Sequence, residues 1–212
     1  MPDAPSPIRQ AASPGQQRRR ILAAAAELFQ RRGYPATSVR QIAEAVGLGA
    51  SSLYNHIDGK AELLREICFA SARRFEDGLE ALVAGSPSSD AALQGVIELH
   101  VAQALEFPET VTVFNDEWRH LGADDLAAFA ARRRRYETRV GALLLARRTD
   151  PDAGGLDPLT PADERAVATL LASLSWVYQL KPAQRPPRER LVAELHALWA
   201  AGWPPPRSRE MP

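Results

Sequence analysis

The chain has 212 residues, of which 45% are hydrophobic and 25% charged, enough for one or two globular domains with buried cores. Its formal net charge is zero, which by itself neither favours nor excludes a polyanionic partner. The single cysteine, Cys68, excludes an internal disulfide, and no apolar run reaches the roughly 18 residues of a membrane span, so we expect a cytoplasmic protein with no membrane partner.

The N-terminal segment is rich in Pro and Ser and lacks the apolar stretch of a signal peptide, so we expect a disordered arm over residues 1–15. The following sequence, QQRRRILAAAAELFQRRG, consists mainly of strong helix formers. Its apolar residues Ile21, Ala25, Leu28 and Phe29 follow helical spacing, which predicts a helix that ends at Gly33.

Residues 37–64, TSVRQIAEAVGLGASSLYNHIDGKAELL, predict two short helices separated by a glycine turn. In the first, Val39, Ile42, Ala43 and Val46 form a buried face, and Gly47 allows the chain to turn. The second, expected over residues 49–56, would leave its outer face free, and a helix of this kind fits the DNA major groove.

Residues 1–60 carry eight Arg or Lys and four Asp or Glu, and this local excess of positive charge favours contact with phosphates. We therefore predict a helix-turn-helix DNA-binding domain over residues 16–60. The alternative is a helical hairpin within an enzyme, with polar residues that face only water. The candidate DNA contacts are Thr37, Ser38, Arg40, Gly49, Ala50, Ser51, Ser52, Tyr54, Asn55, His56 and Lys60.

The remaining sequence predicts an all-helical second domain over residues 61–203, with a disordered tail over 204–212. A long helix over 59–85 should connect the two domains. Further helices are expected over 90–105, 109–122, 123–148, about 161–180 and about 187–201.

Arg133 lies in the middle of the apolar stripe of the predicted helix over 123–148. Burial of an unpaired charge is costly, so a charge at this position needs a partner. Either Arg133 forms an ion pair with Asp116 or Glu117 of the preceding helix, or it faces the anionic part of a ligand.

Aromatic residues and one histidine on apolar helix faces complete the candidate pocket, although each could equally belong to the core. His100 is the clearest case, because a satisfied core histidine explains its position as well as a ligand contact does. The candidate ligand-binding residues are Phe75, His100, Phe107, Phe114, Trp118, Phe129, Arg133, Tyr136 and Trp176.

The last two helices each carry an apolar face that would suit a four-helix interface between two subunits with C2 symmetry. Alternatively, these helices only close the pocket. The candidate interface residues are Leu170, Leu174, Val177, Leu191, Leu195 and Leu198.

Roughly the first 65 residues resemble the DNA-binding domain of the tetracycline-repressor (TetR) family of bacterial regulators. The resemblance is carried by ILAAAAELFQRRGY, TSVRQIAEAVGLGASSLYNHI and DGKAELL, with Ile57 where the family usually has Phe. It implies an all-α fold of about nine helices, a homodimer, and a second domain that binds a small molecule. It also implies a repressor that binds a palindromic operator in double-stranded DNA and is released by its effector.

Two later segments, VFNDEWRHLGADDLAAFAARRRRYETRV and LLASLSWVYQLKP, resemble a TetR subgroup whose effectors are acyl-CoA thioesters. Ser175 and the segment QLKP depart from that subgroup's pattern. The positions carried over by this resemblance are Glu117, Trp118, Arg119, Arg133, Arg135, Tyr136, Glu137 and Trp176. The rival within the family is a multidrug-type regulator that senses hydrophobic or cationic compounds.

The rival outside the family is an all-helical enzyme. The sequence contains no metal-ligand spacing, no Gly-rich phosphate loop between a strand and a helix, and no pattern of an activated nucleophile. We therefore expect no catalytic residues, no metal and no cofactor.

Overall fold

The computed structural model describes residues 13–85, 88–145, 159–180, 183 and 185–201. Within these ranges the chain forms nine α-helices and no strand, which confirms the predicted all-α class. The helices are α1 (Pro14–Arg32), α2 (Val39–Ala45), α3 (Ala50–Leu53), α4 (Lys60–Ala84), α5 (Ser89–Glu106), α6 (Pro108–Thr112), α7 (Ala123–Leu145), α8 (Pro161–Ser175) and α9 (Arg188–Ala200).

Helix α1 begins two residues before the predicted domain boundary at residue 16. Ser13 and Gln16 form a capping box, in which each side chain accepts a hydrogen bond from the other's backbone N–H, so residues 14 and 15 are helical rather than part of a disordered arm. Residues 1–12 of the predicted arm, and the predicted tail over 204–212, lie outside the described residues.

Helices α1 to α3 and the first half of α4 enclose one core. Its centre is formed by large apolar side chains with no exposed area: Ile21, Phe29, Ile42, Leu53, Leu63 and Leu64. Gly33 and Gly47 have φ values of 79° and 71°, a conformation that costs glycine little, and they end α1 and turn the chain between α2 and α3. Helix α3 is shorter than the predicted 49–56, because the chain leaves the helix at Tyr54 and continues as a turn.

Helix α4, with 25 residues, runs from this first core into a second one. Leu63 and Ile67 belong to the first core, whereas Leu79 belongs to the second, where it packs with residues of α5, α7, α8 and α9. A single helix therefore connects the small N-terminal unit with the helical bundle, as predicted.

The segment 107–121 differs from the predicted regular helix. After α6, residues Val113–Glu117 form a π-helical turn and Trp118–His120 form one 3₁₀ turn. A π-helical turn contains more residues than an α-helical turn and changes the direction of the side chains that follow. Here Phe114 and Asn115 line a cavity, while Glu117 is hydrogen-bonded to the N-terminal unit.

Helices α8 and α9 bury their apolar faces inside their own subunit, which corrects part of the predicted dimer interface. Leu170, Leu174, Val177 and Leu191 are at most 6% exposed and belong to the second core, so their side chains are not available to another subunit. Leu195 is half-buried, and Leu198 is 70% exposed. In the part of the chain described, no helix is long and apolar enough to cross a membrane.

Candidate nucleic-acid interface and ligand cavity

The outer surface of α3 and the turn after it is a continuous polar face. Ser51, Ser52, Tyr54 and Asn55 are exposed, and the Tyr54 side chain retains 56% of its accessible area. Gly49 and Ala50, at the start of α3, are also exposed and small. This face offers hydroxyl groups, an amide and an aromatic ring to an approaching surface, with little steric bulk at its N-terminal end.

Arg18 fixes the position of this face. Its guanidinium donates hydrogen bonds to the His56 carbonyl at 2.6 Å and to the Glu62 carboxylate at 2.7 Å, and it also forms an ion pair with Glu66. A hydrogen bond from the Asp58 N–H, together with Arg18, lowers the pKa of Glu62. Arg18 thus joins the turn after α3 to α1 and α4, a role that its place in a run of three arginines did not reveal.

The side chains of Thr37 and Lys60, both candidate DNA contacts, bond to protein carbonyls. The Thr37 side chain is 1% exposed, and its hydroxyl donates to the Gly33 carbonyl at 2.9 Å. The Lys60 ammonium group donates to the carbonyls of Tyr34 at 2.7 Å and Thr37 at 2.8 Å, and it lies 4.2 Å from the centre of the Tyr34 ring. Both side chains therefore hold the turn between α1 and α2.

The remaining candidates near this turn are accessible. Ser38 caps α2 by accepting a hydrogen bond from the Gln41 N–H at 3.3 Å. Arg40 is exposed and pairs with Glu44 at 2.9 Å, an i, i+4 pair on the surface that contributes little to stability. His56 is half-buried.

A cavity of about 100 Å³ lies in the second domain, between α4, α5, the segment 108–117, α7 and α8. Five of the nine predicted ligand-binding residues line it: Phe75, His100, Phe114, Arg133 and Tyr136. The other lining residues are Ala72, Glu76, Ala104, Val111, Asn115, Arg132, Glu137, Ala168, Leu171, Ala172, Leu174 and Ser175.

Arg133 is the unusual member of this lining. Among the described residues it has no hydrogen bond or ion pair, and its Nη1 atom is buried. Its guanidinium carbon lies 5.1 Å from the centre of the Phe114 ring and 5.5 Å from that of Trp118. Burial lowers the pKa of Arg133, and the Glu137 charge partly opposes this effect. The cavity therefore contains a cationic hydrogen-bond donor that lies near two aromatic rings and has no acceptor among the described residues.

Neither ion pair predicted for Arg133 forms. Asp116 accepts a hydrogen bond from the Tyr178 hydroxyl at 2.8 Å, and Glu117 accepts one from the Tyr34 backbone N–H at 3.1 Å. Both carboxylates are therefore hydrogen-bonded to groups other than Arg133.

Arg132, the neighbour of Arg133, is paired. Its guanidinium forms a two-pronged ion pair with Glu76 of α4, and this hydrogen bonding raises the pKa of Arg132. The structure thus places one paired arginine and one arginine without an ion pair at adjacent positions. Glu76 follows Phe75 in the sequence but was not recognised as a lining residue.

His100 and Tyr136 form a polar pair in the cavity wall. The His100 Nε2 atom and the Tyr136 hydroxyl are 2.9 Å apart, and the Phe75 ring stacks on the imidazole with centroids 4.7 Å apart. Burial, together with the nearby Arg133 charge, lowers the pKa of His100 to about 3. The imidazole is therefore neutral at pH 7, and burial also raises the pKa of Tyr136.

Four predicted ligand residues do not line the cavity. Phe129 is fully buried in the first core, and Trp118 packs beside it with ring centroids 5.7 Å apart. Trp118 also contacts the Arg133 guanidinium, although it does not itself line the cavity. Phe107 is 39% exposed and lies under the Arg74 guanidinium, and Trp176 is 64% exposed at the end of α8.

Comparison with known proteins identifies both parts of the chain. Residues 21–67 match the model of the bacterial regulatory proteins of the tetR family, and residues 86–179 match a tetracyclin repressor-like C-terminal domain. The transcriptional repressor KstR2 of Rhodococcus jostii is 33% identical over 125 residues, which cover 57% of this chain and 59% of the repressor. The match therefore spans less than two thirds of that curated relative.

Two solved structures share the fold. A TetR-family regulator from Bordetella parapertussis superposes with a TM-score of 0.78 at 22% identity, covering 88% of this chain and 95% of that one. AibR, in complex with isovaleryl coenzyme A and operator DNA, gives a TM-score of 0.72 at 23% identity, covering 86% and 97%. With its N-terminal helices and its C-terminal bundle both matched, the chain belongs to the TetR family of bacterial regulatory proteins, a family of regulators rather than enzymes.

Proposed function

We propose that this protein is a ligand-responsive transcriptional repressor that binds a palindromic operator as a homodimer in the cytoplasm and is released by a small-molecule effector. The observation that carries this proposal is the free Arg133 in a cavity that α4 connects to an exposed polar helix face. One part of the chain is suited to read DNA, and the other is suited to bind a ligand.

The proposed reading segment is α3 with the turn that follows. Ser51, Ser52, Tyr54 and Asn55 supply groups that bind phosphates or base edges, and exposed Arg40 adds a positive charge beside them. A helix of four residues reads few bases by itself. Two copies in a C2 dimer, spaced by about one helical turn of DNA, would read the two halves of a palindrome.

The exposed sides of α8 and α9 are the proposed dimer interface, in place of the buried faces predicted from the sequence. Leu198 and Trp176 are large apolar residues that remain 70% and 64% exposed, and Ala197 is exposed on the same helix as Leu198. Contact between two such pairs of helices would cover these side chains and form a four-helix interface.

The proposed effector is an acyl-CoA thioester. Arg133 would donate hydrogen bonds to the acyl oxygen, and the apolar residues of the cavity would surround the acyl chain. The exposed Arg134, Arg135 and Arg139 on α7 would supply charge for the phosphates of coenzyme A. The likeness in fold to AibR, which was solved with isovaleryl coenzyme A, is consistent with this effector class.

A second candidate is a multidrug-type regulator that binds cationic compounds. Glu137, which lines the cavity and has no ion pair within 4 Å among the described residues, is the observation that favours it. Glu76 adds little to this alternative, because Arg132 already neutralises it.

Release from DNA would follow from a change in the pose of α4, which begins beside the reading segment and lines the cavity with Ala72 and Phe75. An effector shifts this equilibrium only through its different affinities for the two poses, and a shift from 1:99 to 99:1 requires about 5.5 kcal/mol. Pulsed electron resonance between spin labels on the two copies of Ser52→Cys should report a changed separation on effector binding. An unchanged separation would contradict this mechanism.

The DNA-binding part can be tested by selecting operators from a random double-stranded pool with the purified protein. We expect a palindromic sequence to be enriched, and Tyr54→Ala with Asn55→Ala to abolish its binding while the oligomeric state is retained. Retained operator binding in that double variant would contradict the assignment of α3 as the reading segment.

The effector class can be tested by thermal shift against CoA, several acyl-CoA thioesters, the matching free acids and a panel of cationic dyes, because a ligand of the native state raises the melting temperature. Stabilisation by acyl-CoA that is lost in Arg133→Ala and retained in the exposed control Arg134→Ala would support the proposal. Stabilisation by dyes alone would favour the multidrug alternative.

A further inference from the structure

We infer that the cavity selects a short acyl chain, of about four to six carbon atoms, and excludes long chains and polycyclic acyl groups. This inference rests on the proposed acyl effector and adds the size of the group that enters the cavity. It is carried by the cavity volume and by the residues that line the cavity.

The cavity volume limits the number of ligand atoms that can be buried. The cavity measures about 100 Å³. An apolar cavity of about 150 Å³ holds benzene, which has six carbon atoms, so the same scale gives about four buried atoms here and one or two more after side-chain adjustment. A polycyclic nucleus of about 17 carbons needs roughly four times this volume on that scale.

The walls of the cavity resist enlargement. Val111 and Leu174 are at most 2% exposed, and Phe75 and Leu171 are at most 8% exposed, so each packs against the core as well as lining the cavity. Protein interiors are close-packed, and the movement of such residues displaces the neighbours behind them.

The small side chains of two alanines leave room for ligand atoms in the cavity. Ala72 lies one helical turn before Phe75 on α4, and Ala104 lies one turn after His100 on α5. Both line the cavity and are at most 6% exposed. A larger side chain at either position would occupy volume that is otherwise free for ligand atoms.

The polar groups orient the chain. Arg133 offers an unpaired donor to the acyl oxygen, whereas the polar atoms of His100 and Tyr136 are bonded to each other. The acyl oxygen is thus directed to Arg133, and the hydrocarbon chain occupies the space bounded by Ala72, Ala104 and the apolar wall. Chain length then becomes the property that the cavity distinguishes.

The test is isothermal titration of the purified full-length protein with two matched ligand series. One series contains CoA thioesters of acetyl, butyryl, isovaleryl, hexanoyl, octanoyl, dodecanoyl and palmitoyl chains, and the other contains the corresponding free acids. We expect the affinity to be highest between four and six carbons and at least tenfold lower at twelve.

Cavity variants should shift this optimum in opposite directions. Ala104→Leu reduces the volume and should move the optimum to shorter chains, whereas Leu171→Ala enlarges it and should move the optimum to longer chains. Ala91→Leu, at an exposed site on the same helix as Ala104, is the matched control and should leave the series unchanged. If Leu171→Ala does not fold, Leu171→Val provides a smaller enlargement of the same wall.

The possible results separate this inference from the proposed effector class. A highest affinity at ten or more carbons would overturn the size selection and leave the acyl effector intact. A short-chain optimum among the free acids alone would overturn the thioester and support the size selection. Binding of neither series would overturn both.

Discussion

The Glu117 carboxylate accepts a hydrogen bond from the Tyr34 backbone N–H at 3.1 Å and thereby joins the cavity wall to the N-terminal unit. Glu117 ends the π-helical turn whose Phe114 and Asn115 line the cavity, and Tyr34 lies in the turn between α1 and α2. On its other side, the Tyr34 carbonyl accepts a hydrogen bond from Lys60 at the start of α4. A short chain of contacts therefore connects the ligand cavity with the segment that positions the reading helix.

Replacement of Glu117 should weaken this coupling. In Glu117→Ala the Tyr34 N–H loses its acceptor, and we expect a stability loss of about 1–3 kcal/mol and a requirement for at least tenfold more effector to release the operator. Fluorescence anisotropy with labelled operator and increasing effector measures the second effect. Glu117→Gln retains an acceptor oxygen and should respond like the wild type. A full effector response in Glu117→Ala would show that the coupling runs elsewhere.

The helices themselves were largely predictable, because their signals are local. Gly33 and Gly47, for example, mark a helix end and a turn in the sequence, and both have positive φ values in the structure. The π-helical turn over 113–117 was not predictable, because it depends on packing against α1 and α4 and has no sequence pattern of its own. Asp116 and Glu117 lie in this turn and bond to Tyr178 and Tyr34 rather than to Arg133.

It was harder to predict which groups each apolar face packs against and which groups each charged side chain bonds to. Periodicity correctly identifies Leu170 and Leu174 as one apolar face, but it contains no information on whether that face packs inside the subunit or against a second one. Lys60 illustrates the same limit for charges, since a lysine beside a helix start suits a phosphate as well as a backbone carbonyl. Only the fold brings Tyr34 and Thr37 within its reach.

Arg133→Met should separate ligand binding from stability. Burial of an unpaired guanidinium is unfavourable, and methionine fills a similar space without a charge. We expect urea unfolding to show a stability that is unchanged or raised by up to about 2 kcal/mol, with complete loss of the effector response. The exposed control Arg134→Met should change neither property. A large loss of stability in Arg133→Met would indicate that Arg133 has a structural partner.

The salt dependence of operator binding should distinguish Lys60 from a phosphate contact. Each lost phosphate contact reduces the slope of log affinity against log salt concentration by about 0.9. Lys60→Met should lower the melting temperature and the operator affinity but leave this slope unchanged, because the ammonium group bonds to protein carbonyls. Arg40→Ala, at an exposed position, should reduce the slope. A reduced slope in Lys60→Met would mean that Lys60 leaves these carbonyls when DNA binds.

His100 should make the protein less stable in acid. Its pKa is about 3 in the folded state, and an unfolded histidine titrates near 6.5, so the unfolded state binds more protons between these values. The contribution of His100 to the free energy of unfolding is therefore complete above pH 6.5. It is lost as the pH falls toward 3, by up to about 1.4 kcal/mol per pH unit. Urea unfolding at pH 7 and pH 5 should show a smaller difference for His100→Gln than for the wild type. Tyr136→Phe leaves the buried imidazole in place and should retain the pH dependence of stability. If His100→Gln shows the same difference between pH 7 and pH 5 as the wild type, the pH dependence belongs to other groups.

Leucines on opposite sides of the last two helices should respond differently to the same substitution. Leu198 is 70% exposed, so Leu198→Asp should leave the subunit folded and shift the protein from dimer to monomer in analytical ultracentrifugation, because a charge would be buried at the proposed interface. Leu170 has no exposed area, so Leu170→Asp should unfold the subunit itself, with a cost of several kcal/mol that thermal melting detects. Because a monomer presents only one reading helix, Leu198→Asp should also lose operator affinity while its effector affinity is retained. A stable dimer in Leu198→Asp would place the interface on another surface of the bundle.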